Sequence, residues 1–340
     1  MTLVTVVVIG HTLPLFDPPG HDELHSQLYD FIYLWHIPAF VLVTGYFSRS
    51  FTWSRRHLWA LLTTIAVPYV IFEAAMLAWR IRLGIPGDME SWPEDAWLNS
   101  HWPLWYLVGV FCWRLATPVL KVHWVMVPLA IAVALLHPLL GAETRAFNRV
   151  VQLLPFFVVG LHLHPQLLAA VRSRVGAVVG AATLVVLWVL SDHTDDWIAT
   201  KWLWHAFDYD YFGVPATEGS LNRLAVVGLA LAGTLAVMAV VPRRRTWFTD
   251  MGAATLVVYL SHGFVIKGAD RLLGDGPVTT TYAQWTLWPA IAVAAGVAVL
   301  LAWRPVSSRL TWAVDPVGQT QRAVARRRER RDDERISTPA

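Results

Sequence analysis

The chain has 340 residues, of which 56% are hydrophobic and only 15% charged, against roughly 25% charge in an ordinary soluble domain. With a mean hydropathy of +0.46, nineteen Trp and a formal net charge of +3, the composition excludes a water-soluble globule, a collagen-like chain and a disordered chain. It predicts an all-α, polytopic transmembrane helix bundle.

A helix needs about 20 apolar residues to cross a bilayer. About ten such windows follow one another, at approximately 1 to 17, 28 to 47, 58 to 79, 103 to 120, 123 to 141, 150 to 164, 175 to 191, 221 to 241, 251 to 267 and 286 to 303. The first starts directly at Met1 and stops at Asp17 to Gly20, several residues short of a span. It has no basic segment before it and no small-residue cleavage pattern after it, so it reads as a spanning helix whose opening turn lies upstream of Met1, not as a signal peptide. His11 lies near the far end of this helix. A neutral imidazole there either packs on a hydrogen bond or takes a proton from a hydroxyl as general base.

In the second window, Pro38 follows His36 by two residues, removes a backbone donor and kinks the helix. His36 either caps a carbonyl that the proline frees, or orients an acceptor and stabilises developing charge. Arg55 and Arg56 precede the third window, as topology determinants or as anchors for phosphate groups, which guanidinium binds bidentately. Glu73 and Arg114, placed within helices, each need a partner or a water-filled cavity, unless Arg114 extends toward Lys121.

Trp105 and Tyr106, at the start of the fourth window, are interfacial anchors or a stacking surface for a sugar. Arg149 opens the sixth window, and His162 and His164 close it. Two residues apart on a helix do not share a face, and no carboxylates accompany this pair, so no metal site is expected. Cys112 is the single cysteine, which leaves neither a disulfide nor a cysteine zinc site within one chain. The segment from Asp192 to Asp210, with Trp197, Trp202, Trp204, Tyr209 and Tyr211, has the makeup of a carbohydrate surface or of an ordinary interfacial loop. His262 is the third intramembrane imidazole, either hydrogen-bonding glue or a substrate contact.

Cytoplasmic loops are enriched in Lys and Arg. Alternate loops carry Arg49, Arg55 and Arg56, then Lys121, then Arg172 and Arg174, then Arg243 to Arg245, while the opposite set holds Asp17, Asp22 and Glu23, Asp88 to Asp95 and Asp192 to Asp210. Both termini are then expected in the cytoplasm. Residues 1–305 form the membrane domain, and residues 306–340, with Arg326, Arg327 and Arg328 in succession, an Arg-rich disordered tail. Without an aromatic platform beside those arginines, no nucleic-acid partner is expected.

Five patterns occur in order: Val6-Val-Val-Ile-Gly-His-Thr; Trp35-His-Ile-Pro-Ala-Phe-Val-Leu-Val-Thr-Gly-Tyr-Phe; Trp102-Pro-Leu-Trp-Tyr-Leu-Val-Gly-Val-Phe-Cys-Trp-Arg; Leu154-Pro-Phe-Phe-Val-Val-Gly; and Leu256-Val-Val-Tyr-Leu-Ser-His. Together they resemble the acyltransferase 3 family of integral membrane O-acyltransferases, particularly its fucose 4-O-acetylase-like branch. The resemblance implies a ten-helix bundle that moves acetyl from cytoplasmic acetyl-CoA to a hydroxyl of a cell-envelope carbohydrate or glycolipid, with acetyl-CoA as substrate and no permanently bound cofactor. It matches His11 to the histidine of a basic-residue, ten-spacer, histidine motif, implied to be catalytic; the basic member would fall before Met1. It matches Arg149 to a basic position preceding Pro-Phe-Phe that would hold an acceptor oxygen. Two other readings use the same buried histidines, a non-enzymatic exporter or permease of a polar solute and an inactive scaffold.

Overall fold

The computed structural model describes residues 1–16, 23–85, 100–141, 144–242, 244–273 and 287–337. The acidic stretches at Asp17, Asp22 and Asp88 to Asp95, together with Arg243, lie outside them. Among the described residues the regular structure is all helical: α1 (Thr2–Thr12), α2 (Glu23–Ser48), α3 (Arg55–Leu61), α4 (Val67–Arg82), α5 (Trp105–Leu120), α6 (Met126–Leu136), α7 (Arg145–Gln152), α8 (Leu154–His162), α9 (Pro165–Val171), α10 (Arg174–Asp192), α11 (Ala216–Val240), α12 (Thr255–Leu273), α13 (Leu287–Ala302), α14 (Arg304–Val314) and α15 (Pro316–Ser337).

Five continuous helical stretches are long and apolar enough to cross a membrane, or up to seven if each of two bent pairs is one span. Shorter apolar helices at Thr2–Leu15, Trp105–Leu120 and Met126–Leu140 occupy the remaining windows. In α10 only 17% of the spanning window is buried, and Val175, Val178, Val179, Val185, Val186 and Val189 are all exposed. In water such a face would be untenable; against lipid tails it costs nothing. This is a multi-pass membrane bundle.

Breaks fall where proline dictates. α7 and α8 are separate because Pro155 sits at the start of α8, and α9 turns away by 102° at Pro165. A π-helical turn, Leu62–Ala66, joins α3 to α4 just before Pro68. The Arg-rich segment expected as a disordered tail is helical in this structure: α14 bends 69° from α13 and packs on α4 and α12, and α15 continues to Ser337 with Arg322 paired to Asp315. Pro305 and Pro316 open these two helices, and the Ala, Gln, Glu and Arg that follow Pro316 are mostly strong helix formers.

α2 is the central element, packed against α1, α5, α8, α10 and α11, while α12 and α13 enclose α1 from its other side. The α2–α8 crossing is the tightest. A Cβ on Gly45 would stand 2.1 Å from the Phe157 carbonyl oxygen, and one on Gly160 would stand 2.1 Å from that of Leu42. Only glycine admits this approach.

The basic loops converge at one end. Lys121 Nζ donates to the Arg49 and Phe51 carbonyls at 3.0 and 2.7 Å, Arg49 donates to the Leu163 carbonyl at 3.2 Å, and His162 Nε2 donates to that of Leu120 at 2.9 Å. Met1 lies at the same end, beside Gly252. Arg114 finds Ser48 Oγ at 3.3 Å instead of extending toward Lys121. His164 caps α9 through its side chain.

At the opposite end, the segment between α10 and α11 is strapped down by its own carbonyls. Arg223 donates to Trp202 O at 2.9 Å, Arg149 to Trp204 O at 3.3 Å, Asn148 to Ala206 O at 3.1 Å and Gln152 to Phe207 O at 2.9 Å. Trp202 and Tyr209 of this segment are core residues, whereas Trp197 and Tyr211 are exposed.

Candidate active site

His11, His36 and His262, distant in sequence, meet in one cluster. The His11 ring lies 6.1 Å from the His36 ring and stacks on the His262 ring at 5.5 Å, centre to centre. Trp102 presents its ring edge-on to His11 at 4.6 Å, and Tyr33 Oη stands 2.8 Å from His11 Nδ1.

The roles of the two outer histidines follow from their partners. His36 donates through Nδ1 to Ile32 O at 2.8 Å, and His262 donates through Nδ1 to Tyr259 O at 2.6 Å. A carbonyl only accepts, so both neutral rings carry hydrogen on Nδ1 and a bare lone pair on Nε2. Neither Nε2 has a hydrogen-bond partner among the described residues. The His36 bond goes to Ile32 O, not to the Leu34 carbonyl four residues before Pro38.

A cavity of about 320 Å³ opens beside His11 toward the end covered by the 198–208 segment. His11, Tyr29, Tyr33, Trp102, Trp105 and Arg149 line it, with Leu203 and Trp204 from the covering segment and Lys267 and Asp270 from α12. Its size and aromatic wall suit a small ligand. A second void of about 20 Å³ lies on the other side of the imidazole, walled by Val7, Phe40, Pro103, Tyr106 and Tyr259. His11, Ile37 and Trp105 border both spaces and form the partition between them.

Trp102 is held from two directions. Glu73, almost fully buried, accepts from the backbone N–H of His101 at 3.1 Å and pairs with the His101 ring. Tyr259 donates to Pro103 O at 2.5 Å. His101 is the partner that an intramembrane Glu73 requires.

The expected site residues therefore separate. His11, Trp105 and Arg149 reach the cavity. His36 and His262 are fully buried and do not line it; their rings pack around His11. Tyr106 faces only the smaller void, and its hydroxyl is committed to Thr44 Oγ1 at 2.6 Å and Phe40 O at 3.2 Å. Arg55 and Arg56 are exposed at the start of α3, at the basic end, away from the cavity wall.

Tyr29, Tyr33, Trp102, Lys267 and Asp270 escaped sequence reasoning as site residues. Tyr33 stands three residues before His36 on the same helix face, and Trp102 opens the Trp-Pro-Leu-Trp run, so both had a signal. Lys267 and Asp270 are a solvated i,i+3 pair by pattern and had none.

Outside the spanning helices, His205, itself within the covering segment, is buried and sits at φ 51°. Burial foremost, then the charges of Arg223 and Arg149, hold its imidazole well below the usual histidine range.

The acyltransferase 3 family model, described as an acyltransferase domain, matches residues 1–304. No curated protein and no solved structure matches the chain. The chain belongs to that family and is a membrane acyltransferase.

Proposed function

We propose that this acyltransferase moves acetyl from acetyl-CoA to a hydroxyl of a cell-envelope carbohydrate or glycolipid, with His11 as the general base. The observation that carries the reading is the position of His11, in the partition between a ligand-sized cavity and a narrow void on its far side. An acceptor in the larger space would meet the thioester carbonyl at this ring; the smaller void itself has room for about one water.

Tyr33 Oη, which can donate or accept, is the partner of His11 Nδ1. The proposed base uses the tautomer in which Nδ1–H donates to Tyr33 Oη and Nε2 is bare to receive a proton. As the acceptor hydroxyl oxygen attacks the thioester carbonyl, its proton passes to Nε2. Collapse of the tetrahedral intermediate breaks the C–S bond, and the imidazolium returns the proton to the departing thiolate, giving an ester and free CoA. The His262 ring below and the Trp102 edge beside it hold the imidazole in place, so no reorientation is needed during transfer.

Aromatic faces at Tyr29, Trp102, Trp105 and Trp204 offer the flat apolar surfaces on which sugar rings stack. Arg55 and Arg56, exposed at the basic end, remain the proposed contacts for the CoA phosphates. The motif order favours the fucose 4-O-acetylase-like branch, without naming fucose as acceptor.

The test is transfer of labelled acetyl from acetyl-CoA to an envelope glycan fraction by proteoliposomes containing the chain. Wild type is expected to transfer, and His11→Ala to lose transfer while keeping its thermal unfolding transition. Retained turnover in a folded His11→Ala protein would remove the proposed base.

A further inference from the structure

Among the described residues the cavity wall carries Arg149 and Lys267 against one carboxylate, Asp270. Lys267 and Asp270 pair at 3.0 Å on α12, with the Lys267 ammonium 5.9 Å from the Trp102 ring centre. Arg149 makes no ion pair among the described residues. Its Nε–H is spent on Trp204 O, and its two Nη groups have no protein acceptor among the described residues, although the side chain lines the cavity. The guanidinium lies over the Trp105 ring with Cζ 5.1 Å from the centroid.

A guanidinium keeps its charge at any physiological pH, and partial burial without a counter-charge costs solvation that a neutral ligand does not return. The indole beneath holds the fork in one plane and leaves its Nη edge free, the edge that takes an oxyanion in a bidentate pair. The neighbouring ammonium does not compete for such a group, because Asp270 already neutralises it.

We infer that the acceptor carries an anionic group, a carboxylate or a phosphate, which Arg149 binds while the hydroxyl to be acylated lies at His11. This rests on the reading of the larger cavity as the acceptor site. It narrows the acceptor class from carbohydrates in general to acidic sugars, sugar phosphates or phosphate-linked glycolipids.

The experiment measures equilibrium binding to the full chain in lipid nanodiscs, without acetyl-CoA, for three probes: methyl glucoside (neutral), methyl glucuronide (carboxylate) and glucose 6-phosphate (phosphate). At least one anionic probe is expected to bind about tenfold tighter than the glucoside at low salt, and the carboxylate and phosphate arms identify which anion is preferred. Arg149→Gln should erase the preference and Arg149→Lys should retain part of it. Equal affinity for all three probes, no binding of any, or a preference unchanged in Arg149→Gln overturns the inference. Should Arg149→Gln fail to fold, the salt titration of wild type decides: an anionic preference that persists undiminished from about 50 to 500 mM salt also overturns it. Binding preference without acetyl transfer would leave this inference standing and sink the acetyl-transfer reading. Acetylation of neutral and anionic sugars alike would do the reverse.

Discussion

His11 Nδ1 and Tyr33 Oη lie 2.8 Å apart and join α1 to α2 at the cavity wall. In the proposed mechanism the phenol accepts from Nδ1–H, while His262 and Trp102 pack against the ring from other sides. Tyr33→Phe should therefore leave the ring in place and disturb its protonation. Turnover is expected to fall about tenfold to a hundredfold with little change in KM, less than the roughly 10² to 10⁴ that loss of His11 would cost as the proposed general base. Steady-state kinetics of both variants in proteoliposomes check this, and equal losses would show that Tyr33 does more than set the tautomer.

Glu73 anchors the approach to α5. Removing its buried carboxylate leaves the His101 backbone N–H without its acceptor, typically at about 1 to 3 kcal/mol. Glu73→Ala is thus expected to lower the unfolding temperature clearly, and Glu73→Gln, which can still accept from the His101 N–H, to lower it less. Trp102 should lose its fixed angle to His11 in both, so activity should fall further than stability. Unfolding curves beside turnover separate the two effects.

Four donors from α7 and α11 hold the covering segment by its backbone. Gln152→Ala would leave the Phe207 carbonyl unsatisfied, a penalty of about 1 to 3 kcal/mol confined to that segment. Amide hydrogen exchange across residues 200–207 should accelerate while α2 and α8 keep their protection. Uniform acceleration throughout the bundle would contradict a local strap.

The same segment should respond to acid. His205 has a folded pKa depressed by burial below the unfolded value of about 6.5. Its contribution to docking is therefore complete above that value and lost as pH falls below it, because the open state takes a proton that the docked state refuses. Exchange protection over residues 200–207, corrected for intrinsic rates, should drop between about pH 7.5 and 5.5. His205→Asn, which tolerates the positive φ, should abolish that drop.

Gly160→Ala should be among the most damaging single-methyl changes in the molecule. Its Cβ would meet the rigid Leu42 carbonyl, not a side chain able to turn aside. Overpacking costs typically 1 to 3 kcal/mol, and about 3 kcal/mol is expected here. Thermal unfolding in detergent measures it; a loss below about 1 kcal/mol would mean the two backbones separate easily.

The fold was largely legible because lipid imposes one rule, about 20 apolar residues per crossing, and each of the ten expected windows coincides with helix. The histidines were legible for the same reason: a polar ring among apolar residues stands out, and His11, His36 and His262 do converge. Their division of labour was not, since only geometry separates the ring on the cavity from the two behind it. The strap over residues 202–207 was invisible because its acceptors are backbone carbonyls, which every residue possesses. Arg149 was singled out through the resemblance, as the basic position before Pro-Phe-Phe; that it forms no ion pair among the described residues is a three-dimensional property.

Where α2 and α8 cross at Gly45 and Gly160, main chain rests on main chain with no intervening layer of side chains to rotate or slide. Those two helices are geared together and serve as the frame. α5 is tied to that frame through Tyr106, whose hydroxyl bonds Thr44 and Phe40 of α2, and α12 reaches the approach to α5 through the bond from Tyr259 to the Pro103 carbonyl. The imidazole of His11, carried on α1, thus lies between a ring of the frame, His36, and a ring of α12, His262.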